Sequence, residues 1–153
     1  MEDAKTILRK GIDCWNAHDR EGFLALFDDA VTYFDQPTGK EFVGREALGE
    51  RFYDLWTVAY PDNTLKDPIV FGERELVCFQ GHFVGTHTGI FRRPEMELEL
   101  PPTGKLVDAP FVFIAEIRDD KVVRAWHYYD RLLALEQEEV FDLDKLFEVL
   151  PVA

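Results

Sequence analysis

Apolar side chains recur at helical spacing through the first part of the chain. One such stretch follows Asp3, a residue suited to capping a helix, and a second follows Asp19. A third spans 48–59 and ends at a turn around Pro61. Between the second and the third lies 31–35, a short β-branched and aromatic run that is typical of a strand. The pattern predicts three N-terminal helices and one early strand.

After Asp62 the hydrophobic period shortens to about two residues, which indicates strands. Segments rich in Val, Ile, Phe and Tyr are separated by turn residues: 64–71, 76–87, 106–117 and 122–129. The segment 92–103 contains three prolines and is predicted to be a long loop. Because helices come first and antiparallel strands follow, we expect an α+β fold with helices packed on one curved, mostly antiparallel sheet.

The end of the chain is expected to be helical and acidic. A last helix is predicted over 131–138, with one more turn within 141–150. The chain shows no internal repeat and no linker rich in Gly, Ser or Pro. We therefore expect a single domain over 1–153, with a core of about 5–137 and an acidic tail at 138–153.

Composition and charge narrow the class of protein. With 46% hydrophobic and 14% aromatic residues, the chain has enough apolar side chain to offset the entropy of ordering. Its net charge of −13 argues against nucleic acid and anionic membranes as partners. Cys14 and Cys78 make neither a disulfide framework nor a zinc site. The N-terminus lacks an apolar signal-peptide core, and no apolar run approaches the ~20 residues of a membrane span, so we expect a soluble cytoplasmic protein.

Several predicted strands are apolar on both faces, as in 111–115. One face is expected to lie against the helices and to line a pocket for a small apolar ligand. The other face needs a cover, and a second copy of the chain is the simplest one. The pattern therefore predicts a homodimer.

Candidate chemistry centres on His127, within the aromatic run 126–129. Partial burial lowers the pKa of an imidazole and keeps it neutral at physiological pH, which suits a general base. The same features also describe a half-buried sheet histidine bonded to a neighbour. Asp130 is expected to cap the last helix, to orient His127, or to do both.

The other polar candidates have structural explanations. Glu116 is expected to pair with Arg124 on the neighbouring strand. His87, between small residues, and Asp35, at the end of the first strand, are weaker pocket candidates. The four histidines are scattered without the spacing of a metal site, so we expect no metal.

Several short strings give the chain a resemblance to a known family. They are CWNAHD at 14–19, VGREAL at 43–48, GTHTG at 85–89, PPTG at 101–104, and Trp126 through Asp130 leading into LLALEQ at 132–137. In this order, over about 5–137, they resemble the SnoaL-like polyketide cyclases. That family belongs to the nuclear-transport-factor-two-like superfamily of cone-shaped α+β folds.

The resemblance implies ring closure by intramolecular aldol condensation, without metal or cofactor. In the family a carboxylate on the last strand acts as general acid/base, helped by a histidine on the preceding strand. These positions match His127 and Phe113 here. An aromatic position on the first helix matches Trp15, and a position on the third helix that is polar in some members matches Phe52. We therefore expect the pocket shape to be kept, with a different acid/base residue, a different reaction or no reaction.

The turn at 119–121 decides which face His127 occupies. A three-residue loop, which the family's hairpin resembles, pairs Phe113 with His127. A two-residue loop would instead pair Phe113 with Trp126. We adopt the three-residue loop and expect Phe113 and His127 to face the pocket together.

These features predict an enzyme acting on a small to medium apolar carbonyl compound, by proton transfer next to the carbonyl, cyclisation or isomerisation. His127 would be the acid/base, with Asp130 as its orienting partner. The expected pocket walls are all aromatic: Trp15, Tyr33, Phe52, Trp56, Phe113 and Tyr129. One alternative is a binding module without turnover, which the aromatic Phe52 and Phe113 favour. Another is an epoxide hydrolase, which needs paired carboxylates.

Overall fold

The structure is a computed structural model that describes residues 2–142, 144, 145 and 148. Most of the turn predicted within 141–150 lies outside these residues. No helix within the described part of the chain is both long and apolar enough to cross a membrane.

The first two helices begin where the sequence predicts. Helix α1 spans Ala4–Asn16 and helix α2 spans Arg20–Ala25. In each, a carboxylate at the N-cap, from Asp3 or Asp19, accepts a hydrogen bond from a backbone N–H of the first turn. The apolar stripe of α1 is buried against the sheet, with contacts to two of its strands.

The third predicted helix is a composite of three pieces. Helix α3 spans Arg45–Leu48 and helix α4 spans Asp54–Ala59, and a π-helical turn, Gly49–Tyr53, joins them. The wider turn leaves two consecutive aromatic side chains, Phe52 and Tyr53, both buried. A regular helical period would not place consecutive large residues on the same face, so this feature was not predicted.

The strands are β1 (Phe27–Asp35), β2 (Lys40–Val43), β3 (Thr64–Glu73), β4 (Leu76–Thr86), β5 (Phe91–Arg93), β6 (Leu98–Leu100), β7 (Leu106–Arg118) and β8 (Lys121–Tyr129). Helix α5 follows them at Arg131–Gln137. Six strands form one sheet in the order β2-β1-β8-β7-β4-β3, in which only the β1–β8 pair is parallel. The predicted α+β fold, with helices on a mostly antiparallel sheet, is confirmed.

The hairpin between β7 and β8 reaches the predicted register by a different route. Its loop has two residues, Asp119 and Asp120, both at positive φ, so the predicted three-residue loop was wrong. A bulge beyond Ile117 then shifts the pairing by one residue. Phe113 consequently lies opposite His127, as predicted.

The segment 92–103 is not the long loop that its prolines predicted. Strands β5 and β6 pair as a small antiparallel hairpin around a 3₁₀ turn at Pro94–Met96. Each strand has three residues, too few for a readable hydrophobic period. This hairpin contacts α4 and carries Arg93 into the interior.

The sheet has a buried inner face and a partly exposed outer face. On β7, Phe111 and Phe113 point inward, while Ile114 and Glu116 are only partly buried on the outer side. Glu116 lies 3.7 Å from Arg124 on β8, which confirms the predicted cross-strand pair.

Candidate active site

A cavity lies between the inner face of the sheet and the helices. The accessible volume of the cavity is about 70 Å³, which is room for roughly five water molecules. Its lining is almost entirely carbon. It comes from α1, α2, α4 and α5, from the π-helical turn, and from β1, β3, β4, β7 and β8. The arrangement suits a small apolar molecule.

The predicted wall residues divide into two groups. The residues that line the cavity are Trp15, Phe52, Trp56, Phe113 and Tyr129. Tyr33 does not line it and lies behind His127 instead, with its hydroxyl 3.0 Å from the His127 Nδ1 atom. The Trp15 indole N–H also points elsewhere, because it donates to Asn63 at 2.6 Å. Trp15 therefore offers the cavity only its apolar ring.

His127 is the polar ring of the cavity, and aromatic side chains surround it. Six ring centroids lie between 4.7 and 6.3 Å from its own: Tyr33, Phe52, Trp56, Phe111, Phe113 and Tyr129. The Nδ1 atom is bound to Tyr33, whereas no hydrogen bond reaches Nε2 from the described part of the chain. Since His127 lines the cavity, Nε2 is the nitrogen left for a ligand.

Burial decides the charge of the His127 ring. Removal from water, and next the positive charge of Arg93, lower its pKa to about 3. The imidazole is therefore neutral at physiological pH, as the sequence predicted. A neutral imidazole can form a hydrogen bond with a carbonyl compound without first losing a proton.

Behind the cavity, Arg93 holds a buried polar cluster together. Its Nη1 atom donates to the Asp35 carboxylate at 2.6 Å, and its Nη2 atom donates to the Tyr129 hydroxyl at 2.5 Å. The Tyr129 hydroxyl donates in turn to Asp35 at 3.3 Å. Tyr129 therefore faces the cavity with its ring, while its hydroxyl is already used.

Asp130 lies at the cavity wall and caps α5. Its carboxylate accepts a hydrogen bond from the Leu133 backbone N–H at 2.9 Å. The His127 ring takes its hydrogen bond from another element, at Tyr33 on β1. The capping half of the prediction is confirmed, and the partner that contacts the imidazole is Tyr33.

His87 belongs to a separate buried cluster at the end of β4. Its Nδ1 atom lies 3.1 Å from the Thr103 hydroxyl and 3.3 Å from the Glu138 carboxylate. Tyr60 and Arg131 also contact Glu138. His87 is absent from the cavity lining.

Two features of this site escaped the sequence analysis. The prolines predict a loop at Arg93, and the alternating burial of Phe91, Arg92 and Arg93 is visible only in the structure, because the sequence Phe-Arg-Arg does not alternate. The sequence predicts Tyr33 as a cavity wall, because the pairing of β1 with β8 that brings it beside His127 has no local sequence signal. Both contacts join residues far apart in sequence.

The described part of the chain holds no metal site, and the cavity is lined by one carboxylate rather than a pair. No group of three or more His, Cys, Asp or Glu side chains there could hold a metal ion. Among Asp35, Glu116 and Asp130, only Asp130 lines the cavity. Asp35 is bound to Arg93, and Glu116 is on the outer face.

The sequence profile of the SnoaL-like polyketide cyclases matches residues 5–138. The chain belongs to this family. Membership in the SnoaL-like polyketide cyclases supports a cyclase or isomerase role that needs no cofactor. No protein with a curated sequence description matches the chain significantly.

Solved structures share the fold of this chain. AclR from Streptomyces galilaeus, a candidate hydroxylase, superposes with a TM-score of 0.76 at 20% identity, covering 91% of this chain and 97% of AclR. A candidate polyketide cyclase from Pseudomonas putida gives 0.75 at 21% identity, covering 90% and 98%. A candidate SnoaL-like polyketide cyclase from Jannaschia gives 0.77 at 20% identity, covering 91% and 93%. At these identities the likeness concerns the fold.

Proposed function

We propose that this protein is a cofactor-independent cyclase or isomerase that acts on a small, largely apolar carbonyl compound. One observation carries the proposal: a neutral histidine, His127, offers a ring nitrogen to an otherwise apolar cavity. In such surroundings a hydrogen bond to a reacting oxygen or a transferred proton gains most over the same contact in water. His127 is the group that meets the carbonyl, and Trp15, Phe52 and Phe113 hold the apolar body.

Proton transfer next to a carbonyl can be tested without knowing the natural substrate. Ketones of graded size, from cyclohexanone to a decalone, are incubated with the protein in D₂O. We expect deuterium at the carbons beside the carbonyl to accumulate faster than in buffer, measured by mass spectrometry. If no ketone exchanges faster than in buffer, the catalytic proposal fails.

A binding module without turnover is the second candidate. It is favoured by the scarcity of polar groups on the lining, because the Tyr129 hydroxyl is bound to Arg93 and Asp130 uses its Oδ1 atom to cap α5. Micromolar binding of the same ketones, measured by calorimetry, together with no deuterium incorporation would favour this candidate.

The chain is also proposed to form a homodimer through the outer face of the sheet. Phe34 and Trp126 stack there at 5.6 Å, and Tyr128 is 45% exposed beside them. An apolar surface of this kind is stabilised by a second copy of itself. Light scattering should give twice the monomer mass for the native chain and monomer for Tyr128→Glu. Val58→Glu, on the exposed side of α4, is the matched control and should stay dimeric.

A further inference from the structure

The hydrogen bond between Tyr33 and His127 has a direction that determines what the ring presents to the cavity. The two atoms are 3.0 Å apart, and both side chains are buried. A neutral imidazole carries one proton, on either Nδ1 or Nε2, and a phenol carries one proton of its own. Coordinates alone do not show these hydrogens, so the assignment rests on which partners are available.

If Nδ1 carried the ring proton, it would donate to the Tyr33 oxygen. The Tyr33 hydroxyl hydrogen would then need a different acceptor. Among the described residues, the only hydrogen bond of that hydroxyl is the one to His127. This arrangement would leave the Tyr33 hydroxyl hydrogen buried without a partner, at a cost in free energy that the opposite direction of the bond avoids.

If Tyr33 is the donor, both groups are satisfied behind the cavity. The phenol gives its hydrogen to Nδ1, and the ring proton is then on Nε2. Burial and the nearby Asp35 charge raise the pKa of Tyr33 well above its usual value, so the phenol keeps the hydrogen that it donates. Nε2–H has no partner among the described residues, and it belongs to a ring that lines the cavity.

We infer that Tyr33 is a positioning residue that fixes His127 as the Nε2–H tautomer, so that the ring meets its ligand as a hydrogen-bond donor. The inference deepens the proposed function, on which its use rests, because it selects the donor role over the base role. A donor at this place would bind the carbonyl oxygen and stabilise negative charge that develops on it. A resting base would need an unprotonated Nε2, which this tautomer does not provide. The hydrogen that leaves the carbon beside the carbonyl therefore passes to Asp130, the carboxylate on the cavity lining, which uses only its Oδ1 atom to cap α5.

Nitrogen NMR tests the tautomer directly. A ring nitrogen that carries hydrogen differs from one that does not in its ¹⁵N shift and in its one-bond coupling to hydrogen. The spectrum of ¹⁵N-histidine protein is recorded without ligand, and the His127 signals are assigned by their loss in His127→Leu. We expect a directly bonded hydrogen on Nε2 and the shift of an unprotonated nitrogen on Nδ1. A hydrogen on Nδ1, or an equal mixture of both tautomers, would overturn the inference.

Two tyrosine variants separate positioning from a general effect on packing. Tyr33→Phe should abolish the preference and move the Nδ1 and Nε2 shifts toward the values of a mixture. Tyr53→Phe is the matched control, because the buried Tyr53 hydroxyl has no hydrogen-bond partner in the described structure and its variant should leave the His127 signals in place. Unchanged His127 signals in Tyr33→Phe would remove Tyr33 from the account.

This test is independent of turnover. A protein that exchanges no ketone hydrogens would still show the Nε2–H tautomer, so the proposed function would fail alone. A proton found on Nδ1 would overturn the tautomer while deuterium incorporation, if observed, would stand. The wild-type spectrum also decides the tautomer if Tyr33→Phe fails to fold.

Discussion

The two buried histidines of this protein lie beside similar groups and are held in different ways. Each lies near a tyrosine and near a buried pair of arginine and carboxylate. At His87 the carboxylate of that pair, Glu138, approaches the ring to 3.3 Å. At His127 the ring contacts Tyr33, and it is the arginine, Arg93, whose charge acts on the imidazole.

The difference explains why only one of them is a candidate for chemistry. Glu138 ties His87 to Tyr60 and Arg131 and so attaches the end of α5 to the body of the fold. Both rings are held at Nδ1, but the other nitrogen of His127 belongs to a ring that lines the cavity, whereas the Nε2 atom of His87 is buried away from the cavity. A buried histidine becomes a candidate site when its partners leave one nitrogen free in a space that a ligand can occupy.

The largest expected effect concerns the arginine beside His127. Arg93→Met would leave the Asp35 carboxylate buried without its partner, which should lower the free energy of unfolding by about 3–5 kcal/mol. Arg92→Met is the matched control, because Arg92 forms an exposed pair with Glu99 that is worth less than about 1 kcal/mol. Urea unfolding measures both. Equal losses in the two variants would mean that the buried pair contributes no more to the free energy of unfolding than the exposed pair does.

The next effect is on catalysis. His127→Leu removes both ring nitrogens and should lower the rate of deuterium incorporation about 10²- to 10³-fold, whether the ring acts as donor or as acid/base. His87→Gln, in the cluster away from the cavity, should leave the rate within a factor of about three. Thermal melts of both variants control for unfolding. An unaltered rate in His127→Leu would remove His127 from the reaction.

The pH dependence of stability should separate the two histidines further. The pKa of His127 is about 3 in the folded protein and about 6.5 when unfolded, so between these values the unfolded chain binds the extra proton. The free energy of unfolding therefore falls as the pH is lowered. Between about pH 7.5 and 5.5, His127 alone accounts for a fall of about 1.4 kcal/mol. This contribution should disappear in His127→Leu, measured by urea unfolding at both pH values.

His87 should contribute less than His127 to the pH dependence of the free energy of unfolding. Burial also lowers the pKa of His87, but the negative charge of Glu138 acts in the opposite direction. His87→Gln should therefore flatten the pH dependence less than His127→Leu does. The opposite order would mean that Glu138 does not compensate the burial of His87.

The sequence was most informative where structure depends on neighbours along the chain. Helix starts at Asp3 and Asp19 followed from capping chemistry, and the strands from their period of two. The sequence correctly predicted that Phe113 lies opposite His127, but it did so from a loop of the wrong length. Nothing in the local sequence marks the bulge that restores the register. Arg93 and Tyr33 could not be placed, since their partners come from pairing and packing between distant segments.

The central claim is that His127 supplies a polar contact to a carbonyl compound inside an apolar cavity. Binding of cyclohexanone and of methylenecyclohexane, which has the same shape without the oxygen, tests it most directly. The ratio of the two dissociation constants, measured by calorimetry in the native protein and in His127→Leu, cancels the general apolar contribution. We predict that the native protein favours the ketone about tenfold more than the variant does, the value of one hydrogen bond. An identical ratio in the two proteins would contradict the claim.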